Sequence, residues 1–196
     1  MISRKRRQNG WAIALALTVA LLGAMGAALY GLGQATPAAP QTTSSIVSCP
    51  KAASVVVGTV TVPEGPVAGF CQAELINAAH IINAARAQGI GTHTMAIGVM
   101  TAIGESGLVN LAHGDAAGPD SRGLFQQRAN GAWGTLTDRM TPYIAATNFF
   151  DKLVSLPNWK SLTPAQAAHA VQVNADANYY VQYWSPAVAV VSALAG

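Results

Sequence analysis

The spacing of apolar positions changes along this chain, and each spacing predicts a different element. Gln72 to Gln88 carries Leu75, Ile76, Ala79, Ile82 and Ala85 as one stripe at helical period, so it reads as an amphipathic helix ended by Gly89 and Gly91. Met95 to Leu108 is apolar all the way round, which predicts a helix buried in a core. Thr92 or Thr94 is placed to cap it, and Gly107 to end it in the left-handed conformation. Ahead of both lies Ser54 to Val62, SVVVGTVTV, a β-branched run closed by Pro63-Glu64-Gly65-Pro66, read as a short hairpin or extended arm. Further on, Thr141-Pro142 and Thr163-Pro164 each set a cap residue before a proline at the first helical position. The first opens a helix with Tyr143, Ala146, Phe149, Phe150 and Leu153 at helical spacing, stopped by Pro157; the second opens Ala165 to Val173. Ser185-Pro186 begins a last Ala/Val-rich helix. Between Gly107 and Thr141 the periodicity breaks into short polar pieces rich in Gly and Asp.

The start of the chain follows another rule. Trp11 to Leu32 is a 22-residue stretch without charge, preceded by Arg4, Lys5, Arg6 and Arg7. That is long enough to span a bilayer, and the basic flank keeps the N-terminus in the cytoplasm with the rest outside. A retained anchor is favoured. A cleaved signal peptide competes, although the apolar stretch is long for one and Gly33-Gln34-Ala35 is a mediocre cleavage site. Gln34 to Ser45, rich in Pro, Ala, Thr and Ser, reads as an extended linker. The predicted organisation is a basic tail (1–10), a membrane segment (11–32), a linker (33–48), a short β arm (49–66) and a domain (67–196).

Net charge changes the picture little. The chain has 11 basic and 8 acidic side chains, but four of the basic ones are the tail cluster, so the remainder is close to neutral. No basic face for nucleic acid is implied. Cys49 and Cys71 are the only cysteines. Outside the cytoplasm such a pair forms a disulfide more readily than a metal site, and no C-x-x-C or His-rich spacing speaks for a metal.

The chemistry concentrates at Glu105, the one ionisable side chain on the buried helix. A lone carboxylate there is costly unless its pKa rises or a partner compensates. A carboxyl held where a buried helix meets a cleft can stay protonated near neutral pH and serve as a general acid. The bland alternative is a hydrogen-bonded structural carboxylate near a helix end. Gly104-Glu105-Ser106 is not a serine-hydrolase elbow, because that motif needs Gly two residues after the Ser and position 108 is Leu.

Glu105-Ser106-Gly107-Leu108 followed by Gly123-Leu124-Phe125-Gln126 resembles the goose-type lysozyme and lytic transglycosylase family. The longer run through Asn110-Leu111, Gly114-Asp115, Asp120-Ser121 and Gln127-Arg128 is similar to the lysozyme-like domains of actinobacterial wall-associated, phage and conjugation proteins. The resemblance spans roughly Val67 to Ser185. It implies a mainly α, lysozyme-like fold with a small β-rich lobe beside the active-site helix. It implies cleavage of the β-1,4 bond between MurNAc and GlcNAc of peptidoglycan, with Glu105 as the acid and no metal or organic cofactor. Peptidoglycan strands are the implied partner, within an envelope secretion or conjugation complex.

Around Glu105, the resemblance implies a cleft lined by Ser106, Asp115, Asp120, Gln126, Gln127 and a tyrosine. Ser106 has a plainer role as a cap hydroxyl. Arg128 can pair with Asp115 or Asp120. Trp133 is a stacking face for a sugar or, equally, a lid over the core. Related motifs often read A-Y-N, whereas here Asn174-Ala175-Asp176 precedes Tyr179-Tyr180, so Tyr179 and Tyr183 both stand as cleft candidates. Asp115 and Asp120 sit in a turn-rich segment where Asp bonds its own backbone, which leans the expected outcome toward transglycosylation. The rival from another class is a non-catalytic wall-binding or assembly protein that keeps the cleft.

Overall fold

A computed structural model describes residues 48–196. The tail, the membrane segment and all but the last residue of the linker lie outside the described residues. Within them, no helix is long and apolar enough to cross a membrane. The described chain is mainly helical, with one two-stranded sheet.

The arm forms the predicted hairpin. β1 (Val55–Val57) pairs antiparallel with β2 (Val60–Val62), with Val55 opposite Val62 and Val57 opposite Val60. Alternation along β2 buries Val60 and Val62 completely and leaves Thr61 outside. Two clamps hold the hairpin to α1 (Gln72–Ala87). Asn83 donates to the Val57 carbonyl at 2.7 Å and accepts from the Thr59 amide and hydroxyl at 3.1 and 2.8 Å. The Cys49–Cys71 disulfide ties the arm to the residue that precedes α1. Asn83 is thus a hydrogen-bonded residue at the edge of the helix's apolar face.

α1 buries Leu75, Ala78, Ala79, Ile81, Ile82, Ala84 and Ala85. The alanines among them let neighbouring helices approach closely. α2 (Thr92–Ser106) is buried from Thr94 through Ile103. Its N-cap is Gly91, not Thr92 or Thr94, and no side chain caps it. Thr94 is itself buried inside the first turn, where its hydroxyl is not at the cap position. Gly107 ends the helix at φ 64°, as its position after the apolar run predicted.

α3 (Leu136–Met140) is a short helix the hydrophobic pattern did not reveal. A reciprocal capping box builds it: Thr135 accepts from the Asp138 amide, and the Asp138 carboxylate accepts from the Thr135 amide. α4 (Pro142–Ser155) and α5 (Pro164–Gln172) start at the two Thr-Pro signals. The second has a complete capping box with Gln166. α6 (Trp184–Ala195) follows a single 3-10 turn at Val181–Tyr183.

The core has α2 at its centre, packed most extensively on α6, while α1 lies chiefly on α4. Gly98 makes the approach of α2 to α4 possible, since a Cβ there would lie 2.5 Å from the Phe150 ring. Phe149 stacks on Phe125 with centroids 4.9 Å apart, which joins α4 to the segment after α2. That segment corrects the expectation of a β-rich lobe. Residues 109–135 run as turns and bends with two isolated bridges, Leu111 to Gly123 and Arg122 to Gln127. Gly114, Gly118, Pro119 and Gly123 recur through this segment and favour turns over extended pairing.

Candidate active site

The site is built where α2 ends. Gly104, Glu105 and Ser106 occupy the last turn, and Gly107 turns the chain away. Gly104 lets two tyrosines close on the helix: a Cβ there would lie 3.0 Å from the Tyr180 ring and 3.1 Å from that of Tyr183. The Tyr180 hydroxyl consequently reaches Glu105 and donates a hydrogen bond to its Oε1. The Tyr179 hydroxyl donates to the Gly104 carbonyl at 2.6 Å, satisfying one of the carbonyls left open at the helix end.

Ser106 is a fastener. Its hydroxyl lies 3.0 Å from the Ala102 carbonyl and 2.8 Å from the Leu124 carbonyl, so its single proton ties the helix end to the Gly123–Gln126 turn. In that turn Gly123, at φ 79°, passes so close to α3 that a Cβ would meet the Arg139 carbonyl oxygen at 2.0 Å. Leu124 and Phe125 point into the core and are fully buried. Gln126, at φ 46°, is turned out toward the cleft, and its amide donates to the Gly123 carbonyl at 3.2 Å.

A cleft of about 750 Å³ opens beside Glu105. Glu105, Gln126, Asp115, His113, Gln172, Asp176, Tyr179, Trp133 and Lys152 are among its lining residues. It therefore collects side chains from α2, the loop after it, α4 and the segment after α5. Burial raises the Glu105 carboxyl above the usual range for a glutamate. The Tyr180 hydroxyl opposes that rise by stabilising the carboxylate. The Gln172 amide, which donates to the Phe125 carbonyl at 2.7 Å, lies beside the carboxyl and works in the same direction. Nearby Asp115 adds a smaller upward push through charge. In return, burial and then the Glu105 charge push the Tyr180 hydroxyl far up, so it stays a proton donor. The Tyr179 hydroxyl is pushed up to about 12, by burial first and then by Tyr183.

The other residues expected in the cleft divide. Asp115 reaches it, but Oδ1 accepts from the Ala117 and Gly118 amides at 3.0 and 2.8 Å, holding the loop's own turn. Asp120 does not line the cleft. It accepts from Arg128 at 2.9 Å and from the Ala129 amide at 2.8 Å, and these bonds hold its carboxyl down at about 2. Arg128 is thus the partner of Asp120, not of Asp115. Gln127 edges the cleft but is buried; its side-chain N–H donates to the Ala145 carbonyl at 3.1 Å and anchors α4, while its Oε1 has no hydrogen-bond partner among the described residues. Trp133 is 5% exposed with the Lys152 ammonium 4.4 Å above its ring, so it serves as a lid over the core and its covered face is no platform for a sugar. Tyr183 stands behind Tyr179, with ring centroids 5.6 Å apart.

Three residues escaped the sequence reading. Tyr180 lies in an irregular stretch where neither period applies, so nothing marked it over Tyr179 and Tyr183. Gln172 sits at the end of α5, one residue before Val173 turns left-handed at φ 57°. Arg139 is 6% exposed, has no carboxylate partner among the described residues, and donates to the carbonyls of Asp120 and Gln127 at 3.0 Å each. It pins the loop to α3 at two points, Asp120 and Gln127. Among the described residues, no three His, Cys, Asp or Glu side chains gather as a metal site requires.

No family model matches this chain, and no curated protein does.

Proposed function

We propose that this chain cleaves the β-1,4 glycan of peptidoglycan, with Glu105 as the general acid and a lysozyme-like helical domain as its frame. The single observation that carries the reading is the setting of Glu105: the only acid on a buried helix, raised by desolvation, hydrogen-bonded by Tyr180 and opening onto a cleft. Desolvation favours the protonated form of a carboxyl so held, the form a general acid uses. Protonation of the glycosidic oxygen lets the C1–O4 bond break with positive charge developing on the sugar ring. Gln126, half-exposed at the cleft, supplies both a donor and an acceptor for the sugar's hydroxyl and acetamido groups. Tyr179 fixes the helix end beside the acid.

The second half of the reaction separates two outcomes. Hydrolysis with inversion needs another carboxylate to activate water, about 6.5–9.5 Å from the acid. Asp120 is taken up by Arg128 and the Ala129 amide, and Asp115 by its own loop amides. Each carboxylate is thus already engaged in holding its own loop. This supports transglycosylation, in which the sugar's own C6 hydroxyl closes onto C1 and gives up its proton to the conjugate base of the acid.

The location is part of the same proposal: an extracytoplasmic domain on a single-span anchor at Trp11 to Leu32, working on the wall within an envelope secretion or conjugation machine. The disulfide supports an oxidising compartment. The test is digestion of purified peptidoglycan by the full chain, followed by mass spectrometry of the soluble products. Anhydro-muropeptides are expected, lighter by one water than hydrolytic products. Hydrated reducing ends would assign hydrolysis, and the absence of any glycan cleavage would refute the enzymatic reading.

A further inference from the structure

Lys152 is the one cleft-lining cation without a carboxylate partner among the described residues, since the other, Arg128, is bound to Asp120. It rises from α4 and lies 4.4 Å above the ring of Trp133, which is itself 5% exposed and so fixed in place. An aromatic face steadies an ammonium but accepts none of its N–H bonds in the plane of a normal acceptor. The charge is therefore held in position on the cleft wall with its donor capacity directed at no protein carboxylate. Partial burial lowers the lysine's pKa, as expected of an ammonium stripped of some of its water.

A hydrated surface lysine would need no explanation. One held against a buried tryptophan, in the same cleft as Glu105, has given up water without gaining a counter-charge. We propose that Lys152, steadied by Trp133, forms a subsite for a carboxylate carried by the glycan strand. The inference rests on the glycan-cleaving reading for the identity of the ligand, though not for the presence of the cation. On a peptidoglycan strand the carboxylate has two sources: the lactyl group of a muramic acid whose peptide has been removed, or the stem peptide where it is retained. The chemistry at Nζ is the same for both, a charge-assisted N–H···O bond. Such a subsite makes the cleft prefer wall glycan over an uncharged β-1,4 N-acetylglucosamine polymer of the same geometry.

The test is a binding measurement on the full chain carrying Glu105→Gln, so that no probe is cut. Three probes of equal sugar length are compared by calorimetry: an uncharged N-acetylglucosamine oligomer, a peptide-free strand with exposed lactyl carboxylates, and a strand with stem peptides. Lys152→Met in that background keeps the unbranched stem over Trp133 and removes the charge. Its preference for carboxylated over uncharged probe is expected to fall at least about tenfold, the lower end for losing one hydrogen bond to a charged group. Lys152→Arg is expected to restore most of that preference. A response confined to one carboxylated probe identifies the source of the carboxylate. An unchanged preference in Lys152→Met, or failure of every carboxylated probe to bind the Lys152 parent, overturns the subsite. Wall digestion by the unmutated chain is measured in parallel. Lys152-dependent binding without any cleavage would refute the role given to Glu105 and leave the subsite standing.

Discussion

Replacing Tyr180 by Phe removes one oxygen from the core and leaves the ring that packs against Gly104. The consequence depends on the charge of Glu105, because the lost bond is stronger to a carboxylate than to a neutral acid. A hydrogen bond to a charged partner contributes about 1.5–3 kcal/mol and one to a neutral partner about 0.5–1.5 kcal/mol. The difference, about 1 kcal/mol, corresponds to roughly 0.7 of a pKa unit at 1.36 kcal/mol per unit. Since the Tyr180 bond holds the Glu105 carboxyl down, Tyr180→Phe raises it further. Activity that needs the protonated acid fails on the alkaline side. The alkaline limb of kcat/KM against pH should therefore move upward by about half to one pH unit in the variant. The assay is clearance of purified wall across pH 4 to 9, with thermal unfolding recorded at each pH. Destabilisation should be about 1 kcal/mol while Glu105 is protonated and about 2 kcal/mol once it is ionised. A limb that stays in place or moves to lower pH would refute the argument that Tyr180 tunes this carboxyl.

Arg139→Met should destabilise by about 2–4 kcal/mol, because it strands one buried and one part-buried carbonyl that now share Nη1; denaturant melts read this, and a loss below about 0.5 kcal/mol would contradict it. Asp120→Asn should retain wall cleavage within a few-fold. The carboxyl is depressed, so its stabilising effect exists above the ordinary aspartate range and fades as pH falls from 3.8 toward about 2; the variant should lose that acid-side dependence. Cys49→Ser with Cys71→Ser should cost about 3 kcal/mol by the chain-entropy argument for the closed loop, and thiol labelling of the parent without reductant should find no free cysteine. For the N-terminal segment, mature protein should retain Trp11 to Leu32 and fractionate with membranes; an N-terminus beginning near Thr36 would mean cleavage.

Much of the helical frame was legible because its signals are local. Gly107 and Pro157 end helices, and Thr163-Pro164 begins one, for reasons confined to a few residues. Glu105 stood out because no other charge interrupts the apolar run around it. The partners of Glu105 were hidden for the opposite reason. Tyr180 reaches it across 75 positions from a stretch without regular period, and Gln172 arrives because α5 happens to end there. Gln127 and Trp133 looked like ligand-binding residues by their neighbours in sequence. Which way each faces depends on α4, whose Ala145 carbonyl and Lys152 claim them. Arg139 reads as an ordinary charged residue of a short helix until the loop above it is in place.

Glu105→Gln tests the central claim most directly. It preserves size and the acceptor for Tyr180 while removing the acid. The folded state favours protonated Glu105, an advantage complete at low pH and lost as pH rises through the raised value. The variant should therefore be as well folded as the parent at pH 7 and gain relative stability with rising pH. Release of soluble fragments from purified peptidoglycan, measured side by side, should fall at least ~100-fold in the folded variant. Digestion by Glu105→Gln at the parent rate would contradict the assignment of Glu105 as the general acid.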